Sequence, residues 1–166
     1  MTAKTSHRSP ADNAAHSNSE VVDHSVMIYV DGAARGNPGP AGLGVVIYDR
    51  QGQVMRQLYK YIGETTNNVA EYLALVYALQ EALILHAQDV TVCTDSELLS
   101  KQLDGTYKVR DEQLRLWYDQ IVHLRAGFRS LTVQAVGRER NAAADRLANH
   151  AIDQRFDTAV KYHSLG

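Results

Sequence analysis

The sequence predicts an α/β fold: a five-stranded mixed sheet, made of a three-stranded antiparallel meander plus two further parallel strands, flanked by helices. Three observations carry that prediction. Apolar runs at 25–32, 42–50 and 53–63 are separated by stretches rich in Gly and Pro or by a tight turn, the pattern of neighbouring antiparallel strands. An unbroken stretch of good helix formers follows at 67–87, too long for a strand. Beyond it, two short strand-like runs alternate with helical segments, the order expected of strand–helix crossovers.

Taken along the chain, "SVMIYVDG" is the first strand and "GLGVVIYDR" the second, apolar on both sides near its middle. "QGQ" is a tight reversal into the third strand, "QVMRQLYKYIG". "NNVAEYLALVYALQEALILHA" is a helix apolar almost all round, so it is expected to lie between the sheet and other helices. "DVTVCTD" is a short buried strand. "SELLSKQLDG" and "DEQLRLWYDQIVHLRAG" are helices that end at Gly105 and Gly127. "SLTVQAVGR" is the last strand and "NAAADRLANHAID" the last helix, while "QRFDTAVKYHSLG" carries no clear pattern. A right-handed crossover lets the strand "VTVCTD" lie parallel beside the first, bringing Asp31 and Asp95 to one edge of the sheet.

The 166 residues suit one domain, expected over 25–153, with a flexible N-terminal tail at 1–24 and a C-terminal tail at 154–166. Neither a secretory leader nor a membrane span is visible, and the lone Cys93 has no partner, so a cytoplasmic, reducing setting is expected. A net charge of −2 argues against a strongly basic, non-specific nucleic-acid binder, though not against an enzyme with a local basic face.

Four carboxylates hold the chemical interest. Asp31 ends the first strand and opens into "GAARGNPGPAG", a loop with almost no side chains. Glu71 is placed in the first turn of the long helix, three residues after Asn68, the spacing of a capping box. Asp95 ends the fourth strand, where it could cap the helix beginning at Ser96, and Asp145 sits early in the last helix, where it complements the dipole. Each has an ordinary structural explanation. Together they converge on one sheet edge, where four acids would repel one another unless a divalent cation neutralised them. All-oxygen ligands favour Mg²⁺ or Mn²⁺ over zinc, and such sites serve phosphoryl transfer.

From about Ser25 to Asp153 the chain resembles the type 1 ribonuclease H (ribonuclease HI) family. The resemblance rests on "YVDGAARGNPGPAG", "TTNNVAEYLAL", "VTVCTDSELL" and "RERNAAADRLAN", in that order. It implies that Asp31, Glu71, Asp95 and Asp145 are catalytic metal ligands for two Mg²⁺ ions, with Mn²⁺ as a possible substitute. It further implies endonucleolytic cleavage of the RNA strand of an RNA–DNA hybrid, leaving 5′-phosphate and 3′-hydroxyl ends. Asn37, Asn67 and Asn68 match positions that touch the minor groove, and Thr66 one that contacts a DNA phosphate. Gly32, Ala33 and Gly36 are expected to let the loop backbone approach the ribose hydroxyls.

The chain departs from the family pattern in two places. No histidine lies between Leu131 and Asp145, where many members carry one in a loop, and Arg138 is the nearest substitute. Arginine stays charged and cannot shuttle protons, but it can stabilise phosphate charge; a solvated loop residue is the plain alternative. The basic, Trp-containing segment that some relatives use to grip DNA is also lacking, leaving Lys108 and Arg110 as modest cations. Weak, salt-sensitive binding is therefore expected. Trp117 reads as core, and His86, His123 and His150 read as structural or surface residues on helices. A related metal-dependent DNA nuclease and a non-catalytic hybrid-binding module of the same fold are the alternatives; no protein partner is predicted, and a monomer is the default.

Overall fold

The computed structural model describes residues 24–155 and 158–162. The expected elements appear in the expected order. Strands β1 (Ser25–Ala34), β2 (Gly39–Tyr48) and β3 (Val54–Thr65) precede helix α1 (Asn67–Ile84). Then come β4 (Asp89–Thr94), α2 (Glu97–Leu103), α3 (Glu112–Arg125), β5 (Ser130–Ala135) and α4 (Ala142–Gln154). Both tail expectations fall largely on residues outside those described. Within 154–166, however, Thr158–Tyr162 forms β6, which pairs antiparallel with β3 and adds a sixth strand at the sheet edge.

The sheet order is β5-β4-β1-β2-β3-β6, with β1 antiparallel to β2 and parallel to β4. β1 thus stands where the strand order switches direction, the place where ligands bind in open α/β sheets. The parallel ladder between β1 and β4 ends at Val30 and Thr94, one residue before Asp31 and Asp95. On its other side β1 continues against β2 as far as Ala34, so the strand runs three residues past the aspartate at which its apolar pattern stops.

Alternation along β1 separates two faces. Val26, Ile28 and Val30 point into the main core with Leu75 and Leu79 of α1, Leu99 of α2 and Leu114 and Ile121 of α3. Trp117 packs against this core from the side, as its amphipathic setting predicts. Helix α4 lies on the opposite face, chiefly over β2.

Two glycines allow the helices to come this close. A methyl group at Gly32 would stand 2.2 Å from the carbonyl carbon of Ala70 in α1, and one at Gly44 would stand 2.2 Å from the carbonyl oxygen of Ala144 in α4. At Gly32 the absence of a side chain is required by α1, which occupies that space. Of the histidines expected on helices, His123 and His150 lie on α3 and α4, whereas His86 follows α1 in a left-handed conformation, with φ 58°.

Candidate active site

Asp31 is carried by β1, beyond the last parallel pair, and is only 4% exposed. Glu71 comes from α1. Its helix is capped by Thr66, whose hydroxyl accepts the Val69 N–H at 3.3 Å, so Glu71 falls in the second turn and is not part of a capping box with Asn68. Asp95 is likewise released from capping, since the Ser96 hydroxyl accepts the Leu99 N–H at the start of α2. With their structural duties taken by neighbours, both acids are free for other chemistry.

Carboxylate oxygens of Asp31, Glu71 and Asp95 lie within 4.8 Å of one another. Asp145, in the first turn of α4, lines the same cleft of about 480 Å³. Asn149, one turn later, donates to the Asp145 backbone carbonyl at 3.0 Å and to its carboxylate at 3.3 Å. Burial, the charge of Asp95 and the nearness of Asp145 push the Asp31 carboxyl up to about 8. Burial first, and then the charges of Asp31 and Asp95, hold Glu71 well above the usual carboxylate range. Glu71 accepts the Gly32 backbone N–H, while its Oε2 is buried without a hydrogen-bond partner. Crowded, desolvated acids with an orphaned oxygen fit a hard divalent cation, which would supply the missing partner and cancel the repulsion.

The expected substrate-contacting residues divide into two groups. Gly32, Ala33, Asn67, Asn68 and Arg138 line the cleft, together with Ser96 and Ala142, which the sequence did not single out. Gly36, Asn37 and Thr66 do not line it; they brace the residues that do. Asn67 accepts the Ala34 N–H through its Oδ1 at 2.8 Å, and its own N–H donates to Asn37 Oδ1 at 3.1 Å. Gly36 takes φ 100° in the loop between them, a conformation that favours glycine. The carboxamide oxygens of both asparagines are thereby occupied, and their NH₂ groups remain as donors.

Asn141 was also missed from the sequence. It is 1% exposed and donates to the Val30 carbonyl at 2.9 Å, while its own carbonyl accepts the Asp145 N–H. It ties the start of α4 to the end of β1, which brings Asp145 beside Asp31. An Asn four residues ahead of an acid was the available signal.

Comparison with known proteins follows the same lines. The family described as "Reverse transcriptase-like" matches residues 29–151. The crystal structure of RNase H1 from Halobacterium salinarum superposes with a TM-score of 0.77 at 40% identity, covering 78% of this chain and 98% of that one. The chain belongs to the type 1 ribonuclease H family. LC11-RNase H1, solved in complex with an RNA/DNA hybrid, is 44% identical with a TM-score of 0.76, over 80% of this chain and 99% of that one. A bifunctional protein of Mycobacterium tuberculosis is 42% identical over 136 residues, which are 81% of this chain but 37% of the relative. The chain therefore spans about a third of the length of such curated relatives. Within this ribonuclease H framework the loop before α4 is a 3-10 turn, Arg138–Arg140, and its Arg138 lines the cleft.

Proposed function

We propose that the cleft hydrolyses the RNA strand of RNA–DNA hybrids, leaving 5′-phosphate and 3′-hydroxyl ends. The observation that carries this reading is the set of three carboxylates within 4.8 Å, with a buried, unpartnered Glu71 oxygen, at the edge where β1 and β4 part. Two Mg²⁺ ions, or Mn²⁺ in their place, would ready a water for attack and offset charge on the departing oxygen. Water adds to the phosphorus, the bond from phosphorus to the ribose O3′ breaks, and the leaving oxygen takes a proton to become the 3′-hydroxyl.

The protein's own groups divide the remaining work. Asp31, Glu71, Asp95 and Asp145 would hold the ions as an anionic cage, in which Asp31 is the most buried of the three clustered acids. Asn67 and Asn37 offer N–H donors to acceptor oxygens in the minor groove, and the ribose 2′-hydroxyl is the group that marks the RNA strand there. Arg138 offers a fixed positive charge to the scissile phosphate. The surroundings of Cys93, buried and without a disulfide partner, suit a cytoplasmic enzyme.

An end-labelled hybrid incubated with Mg²⁺ tests this, with duplex DNA, double-stranded RNA and Asp95→Asn alongside. Cutting confined to the RNA of the hybrid, and absent in the variant, is expected. Cutting of duplex DNA would favour the DNA-nuclease alternative. A folded protein that binds the hybrid and cuts nothing with Mg²⁺ or Mn²⁺ would leave a binding module.

A further inference from the structure

The face of the sheet that carries Asp31 continues away from the cleft into a second cavity, of about 630 Å³. Alternation places Tyr29 and Met27 on the same side of β1 as Asp31, with Tyr29 about 7 Å along the strand from it. Across the β1–β2 register Met27 faces Tyr48, and the Tyr29 and Tyr48 rings meet edge to face with centroids 5.7 Å apart. These side chains, with Thr91 of β4, line the cavity. It stays open because α4 leans over β2, where Gly42 and Gly44 admit it, and so leaves the early part of β1 uncovered. Met27 is accordingly 39% exposed, unusual for an apolar residue in a central strand.

The charges around this cavity do not match a purely apolar occupant. Arg140 lines it, and the Arg140 side chain makes no hydrogen bond or ion pair among the described residues. The two acids at the rim are already engaged. Asp89 is held by Arg129 and by the Ser130 hydroxyl, and Asp49 accepts the backbone N–H groups of Gln51 and Gln53 at 2.9 Å. What faces the cavity is therefore an aromatic pair with a spare guanidinium beside it, the combination that holds bases and phosphates of a single strand. The same short turn, Arg138–Arg140, serves both cavities: Arg138 lines the catalytic cleft and Arg140 lines this one.

We propose that the cavity is a second nucleic-acid site, which holds a single-stranded segment continuous with the hybrid in the cleft. Its bases lie against Tyr29, Tyr48 and Met27, and its phosphates pass Arg140. The inference rests on the hybrid-cleaving reading of the neighbouring cleft, and it makes the preferred substrate a hybrid with an unpaired extension rather than a blunt one. Base–aromatic contact tolerates any sequence, so no base preference is expected.

The test compares hybrids that are blunt with hybrids bearing a short unpaired extension, of RNA or DNA, at either end of either strand. Binding is followed by fluorescence anisotropy on an Asp95→Asn background, so that the hybrid stays whole. At least one extended hybrid should bind about tenfold more tightly than the blunt one. That gain should vanish in Arg140→Glu and in Thr91→Glu, each of which puts a negative charge into the cavity. Amide chemical-shift changes at Tyr29, Thr91 and Arg140 on adding a single-stranded oligoribonucleotide to the unmutated protein should mark the same place. No gain from any extension, or a gain that survives both variants, would overturn the proposal. Cleavage of the blunt hybrid by the unmutated protein is scored separately: its absence would count against the activity, while the extension series alone decides the second site.

Discussion

Gly44 stands directly opposite Asp31 in the β1–β2 register, and the space its side chain would fill is occupied by the backbone of α4 at Ala144. The residue across from the central acid is thus what lets the helix bearing Asp145 reach the cleft. Gly44→Ala should push α4 outward, costing about 1–3 kcal/mol of stability through overpacking. Hybrid cleavage should fall further than stability alone explains, because Asp145 moves with the helix. Thermal melts and rates measured well below the melting temperature separate the two effects; full activity in a folded Gly44→Ala protein would remove the link.

The carboxyl of Asp31, pushed up to about 8 by burial and by Asp95 and Asp145, sets a pH dependence for the metal-free protein. A folded-state value above the unfolded one near 3.9 favours the protonated form. That contribution is complete below about pH 4 and is lost as pH rises through about 8. In EDTA the melting temperature should therefore decline between those limits, and Asp31→Asn should flatten the decline. Mg²⁺ at pH 8 should restore the unmutated protein and leave the variant less changed. Identical profiles for the two proteins would show that Asp31 is not the titrating group.

The interlocked asparagines make a separable prediction. Asn67→Asp keeps the oxygen that accepts the Ala34 N–H but replaces the free donor with negative charge. It should leave the melting temperature nearly unchanged and raise KM for the hybrid by about tenfold or more. Asn67→Ala should lower both stability and affinity. If Asn67→Asp binds as well as the unmutated protein, the donor is not read by the substrate.

Arg138→Ala should slow turnover by about ten- to a hundredfold without abolishing it, since one charge donor is lost while the carboxylate cage stands. Lys at this position should recover part of the rate, because charge is kept while the forked geometry is not. An unchanged rate in Arg138→Ala would make it a solvated residue of the turn.

Much of this fold is legible in the sequence because its strands and helices differ in period and length. The apolar run of 67–87 can only be a helix, and "VTVCTD" sits between turn signals as a buried strand. Local chemistry close to the site is less legible. Thr66, rather than Asn68, caps α1, which displaces Glu71 by two residues from where a capping box would put it. The extension of β1 to Ala34 is set by pairing with β2, a long-range partner that no pattern within the strand discloses. β6 is not legible because "QRFDTAVKYHSLG" carries no clear pattern, and the strand is set by backbone pairing to the distant β3. The four acids could be gathered at one edge from strand order and crossover handedness. Asn141 could not be recognised as a strut, because its partner is a backbone carbonyl on β1, far away in sequence.

The parting of β1 and β4 at Val30 and Thr94 also has a temporal side. Asp31 and Glu71 belong to the meander and the first helix, whereas Asp145 reaches them only after α4 has packed onto β2 and Asn141 has found Val30. A growing or truncated chain that stops short of α4 holds three of the acids and an open cage. Closure of the cage is thus a long-range event that depends on the C-terminal helix, and a copy ending before Ala142 lacks the fourth acid.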